Sequence, residues 1–427
     1  MVKPRRKWLW LGAGVVGTLV ATLLVLNLMP RDQRIDRQIE RLYDTQSPHF
    51  EHVMSTLLGP PVLEGNEIVE LLNGNAIFPP MLDAIRAAQR TITFESYIYW
   101  SGAIGERFSE ALSERARAGV RVHVLLDWVG SSKVDEAMLV RMRSAGVRIE
   151  LFHPLSWYHL GRMNNRTHRK VLVTDGRIGF TGGVGIADKW DGDAQDPDHW
   201  RDTHFRVEGP VVAQMQATFL DNWTKSTGEV LHGEDYFPHL EPRGNMRAQM
   251  FSSSPEGGAE SMHLMYLLAI TAASRTIDLA NAYFVPDEFS VQALVSAMKR
   301  GVRVRIIVPG PITDTQTVRH ASRNNWGPLL AAGAEIYEYQ PTMYHCKVMV
   351  VDNRMVSVGS TNFDPRSFRL NDEANLNVFD QGFARRQVEV FEADRLRSRR
   401  VTMEEWQARP WWQRTWESAA SLIENQL

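Results

Sequence analysis

Cysteine is almost absent from the 427 residues. The one thiol, Cys346, excludes an intramolecular disulfide framework, and with no second cysteine near it a thiolate metal site is not expected. An excess of either charge is missing as well: 48 Lys and Arg nearly balance 50 Asp and Glu, so the chain has no electrostatic footprint for a long nucleic acid. That counts against a nuclease, and no nucleic-acid partner is expected. Apolar residues are not scarce. A hydrophobic fraction of 44% with 23% charged residues excludes disorder as the default and suits one extended core or two adjoining ones.

One long apolar run stands apart from the rest. Trp8 to Leu28 is interrupted only by Thr18, Thr22 and Asn27, and ~20 such residues cross a bilayer as a helix. Lys3, Arg5, Arg6 and Lys7 precede it as they would in a secretory signal, but the run ends Leu26-Asn27-Leu28-Met29-Pro30, without the small residues of a cleavage site. Residues 1–30 therefore read as an uncleaved, single-pass N-terminal transmembrane helix in the cell inner membrane. The basic flank and the lack of a polar face argue against a buried core helix. Arg31, Arg34, Arg37 and Arg41 follow the run closely, so the positive-inside rule nearly ties and leaves the side of the catalytic domain open. Residues 31–67 read as a linker.

The remainder contains the same series of segments twice. Arg90-Thr91-Ile92, Gly119-Val120-Arg121-Val122, Ala145-Gly146-Val147 and His168-Arg169-Lys170-Val171 are answered in order by Arg275-Thr276-Ile277, Gly301-Val302-Arg303-Val304, Ala332-Gly333-Ala334 and His345-Cys346-Lys347-Val348. Helical periodicity in Met81–Gln89, Glu106–Ala118 and Ser290–Lys299 alternates with β-rich runs at Thr91–Tyr99, Val120–Trp128, Thr276–Phe284 and Val302–Val308. The expected fold class is α/β, with two α/β/α repeats, residues 68–227 and 255–400, packed about a pseudo-twofold axis. Residues 228–254, rich in polar residues, Gly and Pro, read as the segment joining them.

Each repeat presents His168, Lys170 and Asp175, or His345, Lys347 and Asp352, at identical spacing. Val171-Leu172-Val173 and Val348-Met349-Val350 follow, apolar and largely β-branched, so each motif is expected to open a strand on which His and Lys, two apart, share a face. An imidazole beside an ammonium, doubled across a twofold, suits phosphoryl transfer through a covalent intermediate. One neutral imidazole attacks phosphorus, and the other protonates the leaving alkoxide and then deprotonates the incoming alcohol or water. The lysines stabilise charge on the non-bridging oxygens, so neither metal nor cofactor is expected. Each histidine needs a carboxylate to fix its tautomer. The candidates are Asp202, paired with His168, and Glu373, paired with His345. Asp175 and Asp352, followed by Gly176 and Asn353, fit turns between strands, where they support the backbone instead of reacting. A lone motif of this kind arises by chance; its duplication with matching downstream features is what marks a site.

With Gly359-Ser360-Thr361-Asn362-Phe363-Asp364-Pro365-Arg366-Ser367-Phe368 after the second motif, Phe94-Glu95-Ser96-Tyr97-Ile98, Asn165-Arg166-Thr167 before His168, and Gly182-Gly183, the sequence resembles the phospholipase D superfamily and, within it, the bacterial cardiolipin synthases. The resemblance runs from about Ile68 to Arg400. It implies phosphatidyl transfer between phosphatidylglycerol molecules to give cardiolipin and glycerol, or else hydrolysis of phospholipid by the same base. It also implies His168 as nucleophile, His345 as general acid and base, and Ser360 and Asn362 as support and phosphate holder. Opposite Asn362 stands Gly185, read either as a lost amide donor replaced by backbone N–H or water, or as a turn glycine. A membrane scaffold with a decayed site is argued against by the intact His/Lys pairs. Oligomeric state is not legible.

Around the motifs, Tyr97, Tyr99, Trp100, Tyr283 and Phe284 fit either a headgroup cleft or plain core. Ser156-Trp157-Tyr158-His159 fit a loop that touches the membrane or packs on its lobe. Residues 401–427 form a Trp-rich amphipathic segment in which Trp412, Trp416, Ala420, Ile423 and Leu427 share a helical face, suited to lying in the headgroup region or to packing on the catalytic domain.

Overall fold

The structure, a computed structural model, describes residues 4–28, 35, 37–154, 164–255 and 260–421. The amino-terminal half contributes strands β1 (Leu63–Leu72), β2 (Thr91–Ser96), β3 (Arg121–Asp127), β4 (Arg148–Phe152), β5 (Arg166–Thr167), β6 (Val171–Thr174), β7 (Ile178–Gly182) and β8 (Thr203–Glu208). The carboxy-terminal half contributes β9 (Met246–Ser253), β10 (Thr276–Asn281), β11 (Arg303–Pro309), β12 (Glu335–Tyr339), β13 (Lys347–Val351), β14 (Met355–Gly359), β15 (Asn371–Val378) and β16 (Ser398–Val401). The strands read from the sequence are all present; those expected to run to Tyr99 and Phe284 end three residues earlier, at Ser96 and Asn281. The helices fall at Asn73–Ala87, Ala103–Arg117 and Glu288–Lys299.

The described strands join in one mixed sheet whose centre is the antiparallel pair β1 and β9. Outward from that pair the first half runs β8, β7, β6, β2, β3, β4, and the second runs β15, β14, β13, β10, β11, β12. Each position thus holds the matching element of its own half. Neither central strand shows in the sequence as a strand, because its polar residues are buried with partners. Asn66 of β1 donates to Leu63 O at 2.7 Å, and Gln249 of β9 donates to Pro60 O at 2.5 Å. In β9 the run from Ala248 to Phe251 is buried without alternation, so periodicity has no hold on it. The stretch read as a connecting segment, 228–254, therefore carries β9 in the middle of the sheet.

Helices cover both outer faces. Phe78, Ile92, Phe108 and Val124 pack in one core, and Met265, Ile277, Leu294 and Val304 in its counterpart. Between them Val171, Val173 and Val207 of the first half share a single core with Val350, Val358 and Leu376 of the second. Burying these side chains at ~25 cal/mol per Å² makes the halves one cooperative body and fixes the two motif strands relative to each other.

Pro4–Leu28 forms a 25-residue helix on which Trp8, Trp10, Leu11, Val15 and Leu19 are exposed. The expected transmembrane span falls here, with residues 1–3, 29 and 30 outside the described residues. Among the described residues no helix is long and apolar enough to cross a membrane, so the structure gives that reading no support.

Candidate active site

The residues before each histidine are tied to the opposite half. β5 pairs in parallel with the start of β15, and His168 N–H donates to Asp372 O at 2.8 Å. Arg201 bridges Tyr344, and His345 N–H donates to Arg201 O at 2.7 Å. Each histidine is thereby laid beside the carboxylate of the other repeat. His168 Nδ1 lies 3.0 Å from both Glu373 oxygens, and His345 Nδ1 lies 2.7 Å from Asp202 Oδ2. The expected pairing, Asp202 with His168 and Glu373 with His345, is reversed. The physical reason is this strand exchange between halves, which no local pattern encodes.

With Nδ1–H committed to a carboxylate, each Nε2 carries the free lone pair or the mobile proton. Lys170 Nζ donates to His168 O at 2.6 Å, and Lys347 Nζ to His345 O at 2.8 Å, so His and Lys do share a face. Lys347 Nζ also stands 3.2 and 3.3 Å from the two ring nitrogens of His345. The Tyr97 ring meets His168 edge-on at 5.1 Å, while Trp190 and Trp200 pack against His345 at 5.3 and 5.7 Å.

Burial acts first on every ionisable group in the cluster. It pushes Lys170 down to about 7 against the pull of Glu373, and lowers Lys347 also. Burial, then the charges of Lys170 and Lys347, hold the His168 imidazole well below the ordinary histidine range, which keeps it neutral and nucleophilic. His345 is lowered by burial and Lys347, with Asp202 opposing. The two carboxylates part company. Burial pushes Glu373 up to about 7. Asp202 is just as buried, which alone would raise it, yet His345, Lys347 and the Thr203 N–H at 2.7 Å hold it below the usual carboxylate range.

The supporting residues follow the same division. Ser360 donates to Glu373 at 2.5 Å and Asn371 at 3.3 Å, whereas Asp202 receives the Trp190 indole N–H at 2.9 Å. At the position of Ser360 the first half has Gly183, where a Cβ would lie 2.2 Å from Asp202 Oδ1. Asn362 is buried beside the second motif with its Oδ1 unpartnered among the described residues. Gly185, opposite it, is not a turn residue. Its φ is not left-handed, and a Cβ there would lie 2.8 Å from Ile98 Cβ and 3.1 Å from the Trp190 ring. Trp190 has taken the room an asparagine would need.

Asp175 and Asp352 lie at the far ends of the motif strands, each with left-handed φ. Asp175 accepts the N–H groups of Gln89, Arg90 and Thr91, and Asp352 those of Ser274, Arg275 and Thr276. They hold a strand start, and no reacting group is near. Of the aromatic residues, Tyr99 and Phe284 are core, while Tyr283 donates to Asp314 at 2.5 Å. Ser156 to His159 lie outside the described residues. Among the described residues no three His, Cys, Asp or Glu are grouped to hold a metal.

Two anchors escaped the sequence reading. The residue before each histidine is held by a buried carboxylate, Thr167 by Glu95 at 2.6 Å and Tyr344 by Asp394 at 3.0 Å. Burial pushes Glu95 up to about 7. Glu95, the one charged residue in the β-run Thr91–Ser96, was the available signal.

A doubly wound pair of His/Lys motifs with crossed carboxylates defines a two-histidine phosphodiester-processing site. The chain matches the family model described as a cardiolipin synthase, PLD-like domain, at residues 81–223 and 266–395. It belongs to this family of the phospholipase D superfamily. It is 34% identical to the major cardiolipin synthase ClsA of Bacillus subtilis (strain 168) over 84% of this chain and 75% of that one. With the cardiolipin synthase of Geobacillus kaustophilus (strain HTA426) it shares 36% over 85% and 73%, and with cardiolipin synthase A of Pseudomonas fluorescens 35% over 81% and 72%. Among solved structures, phosphatidylserine synthase of Haemophilus influenzae Rd KW20 superposes with a TM-score of 0.65 at 13% identity, covering 88% of this chain and all of that one, a likeness of fold.

Proposed function

We propose that the protein transfers a phosphatidyl group between two phosphatidylglycerol molecules, giving cardiolipin and glycerol. The crossed, unequally charged carboxylates carry this reading, because they give two like histidines different proton-holding roles. His168, neutral, attacks phosphorus through Nε2. The bond to the headgroup glycerol breaks, and its alkoxide takes the proton from His345, whose charged form Asp202 stabilises. A glycerol hydroxyl of the second lipid then gives its proton to His345 and attacks phosphorus, and the P–N bond to His168 breaks. Lys170 and Lys347 face the phosphate; bound anionic oxygens would restore the proton that burial loosens on each ammonium.

The repeats are read as residues 68–227 and 255–400 about a pseudo-twofold, and Pro4–Leu28 as the inner-membrane anchor. The anchor reading rests on the apolar run Trp8 to Leu28 in the sequence. The test is incubation of the purified protein with labelled phosphatidylglycerol alone, with and without EDTA. Cardiolipin plus glycerol in both supports the reading. Phosphatidic acid alone would mark a hydrolase, and a strict demand for added divalent ion would remove the role given to the lysines.

A further inference from the structure

The helix Trp411–Ser421 near the carboxy terminus divides its side chains in a way the sequence does not show. The expected apolar face through Trp412, Trp416 and Ala420 is split, with Ile423 and Leu427 outside the described residues. Ala420 is buried against Val285, Val318 and Ala321, whereas Trp411, Trp412 and Trp416 are 78%, 54% and 67% exposed. The helix is also fixed against rolling. Glu417 is buried and receives Arg323 Nε at 3.2 Å, Gln413 Nε2 at 3.0 Å and the Arg409 guanidinium. Trp406, just upstream, shows what a tryptophan that serves packing does here: it donates to Arg323 O at 2.8 Å and presses on Gly327. Among the described residues the three exposed indoles have no such partner, and Arg414 is exposed on another side of the same helix.

The helix that carries this face packs, through its buried side, on elements that reach the candidate catalytic cleft. Helix Gln316–Asn324, on which Trp411–Ser421 packs, starts directly after Asp314-Thr315, and Asp314 accepts the Tyr283 hydroxyl. Tyr283 packs on the Val285–Val318–Ala420 cluster. Its neighbours close on the site: Ala282 N–H donates to Cys346 O at 2.9 Å, and Phe363 N–H donates to Tyr283 O at 3.1 Å. The tryptophans therefore lie one helix layer from the His345 half of the cleft.

We propose that Trp411, Trp412 and Trp416 form a docking face for the headgroup region of an anionic bilayer, turning the His345 side of the cleft toward the lipid. Indoles with an apolar body and a polar N–H suit that layer, and Arg414 complements anionic headgroups. A face locked by the buried Glu417 presents them without an ordering cost. The inference rests on the lipid-transfer reading for its purpose, and its test is kept separate from it.

The full chain, reconstituted in phosphatidylglycerol and phosphatidylethanolamine vesicles, would carry an environment-sensitive dye at Trp412→Cys or, as the control at the other end of the motif strands, at Gln89→Cys. A blue shift with quenching by brominated acyl chains is expected at 412 and not at 89. Equal quenching at the two positions, or none at 412, overturns the proposal. A shift at 412 already present in detergent and growing with protein concentration would assign the face to a second copy instead. In parallel, the Trp411→Ser, Trp412→Ser, Trp416→Ser triple variant should turn over vesicle phosphatidylglycerol about tenfold more slowly, equivalent to about 1.4 kcal/mol. Turnover of a short-chain, monomeric phosphatidylglycerol should stay unchanged. Undiminished vesicle turnover counts against the docking face. If wild-type protein processes neither substrate, the lipid-transfer reading fails while the quenching at 412 still decides the docking face.

Discussion

His168 and His345 occupy equivalent places in the two halves of the sheet, each with a lysine two residues on and a carboxylate at Nδ1. The carboxylates nevertheless hold protons differently. Glu373, pushed up to about 7 by burial, leaves His168 with a weak anchor for positive charge, whereas Asp202 stays ionised against His345. Identical motifs thus acquire different duties from what lies behind them: a serine and an asparagine behind Glu373, an indole and a backbone N–H behind Asp202. Because each carboxylate comes from the other half, neither repeat is a complete site by itself.

The comparison breaks most completely at the histidines. His168→Ala and His345→Ala should each abolish lipid turnover, with the loss at His168 beyond the ~10²–10⁴ of general acid–base catalysis alone. Both variants should remain folded, with His345→Ala melting lower because it strips the buried Asp202 carboxylate of its partner. The halves separate when a substrate whose leaving group needs little protonation is supplied. His345→Ala should then accumulate a phosphatidyl group on His168, found by peptide mass spectrometry. An adduct on His345 in the His168→Ala variant, with none on His168 in its reciprocal, reverses the roles.

The carboxylates sharpen it. Asp202→Asn removes the charge that stabilises a protonated His345 and should lower kcat on the order of 10³-fold or more at any pH, as losing a histidine-orienting carboxylate does elsewhere. Glu373→Gln should cost roughly tenfold below pH 6, where the native carboxyl is already neutral, and progressively more above pH 7. Parallel pH profiles for the two variants would remove the asymmetry on which the assignment of roles stands.

Much of this site was legible in the sequence because the chemistry is local. His, Lys and Asp recur at fixed spacing before apolar strands, and Asp175 and Asp352 announce turns by the Gly or Asn that follows. The pairing of carboxylate to histidine was not legible. It spans 205 residues for Glu373 and 143 for Asp202, and depends on a two-residue parallel pairing of β5 with β15 and on the Arg201–Tyr344 bridge. The central strands β1 and β9 were missed for a related reason, since Asn66 and Gln249 are buried polar residues whose partners include Met246, Val211 and Pro60, far off in the chain. Gly185 could not be explained without seeing Trp190 against it.

The far ends of the motif strands offer a milder version of the comparison, in stability alone. Asp352 accepts three N–H groups and the Thr45 hydroxyl at 2.6 Å, and is buried; Asp175 accepts three N–H groups at a more open turn. Alanine at either place adds about 1 kcal/mol for left-handed backbone to the stranded donors. Asp352→Ala should cost about 4 kcal/mol and Asp175→Ala about 3 kcal/mol by urea unfolding. Turnover per folded molecule should be unchanged in both. A selective loss of kcat at intact stability would return these residues to the reacting groups.

The smallest effect distinguishes the carboxylates in the absence of substrate. Glu373 has a folded pKa raised from 4.5 to about 7, so the stability it contributes is fully present below about 4.5 and is lost as the pH rises through about 7. Asp202 has the opposite sign: its folded pKa is depressed, so its contribution is present above 3.8 and lost as the pH falls through the lower folded value. Other buried carboxylates titrate over the same range, among them Glu95 and Asp364, both raised to about 7, so the informative quantity is the difference between wild type and variant. Relative to wild type, Glu373→Gln should gain about 2–3 kcal/mol between pH 4.5 and 7.5, one to two pH units of titration's worth, while Asp202→Asn should show no slope there and diverge only on the acid side. Urea midpoints taken every half unit of pH would resolve both. A Glu373→Gln difference that stays flat from pH 4.5 to 7.5 would mean that Glu373 is ionised throughout, and the two halves of the site would then be electrostatic equals.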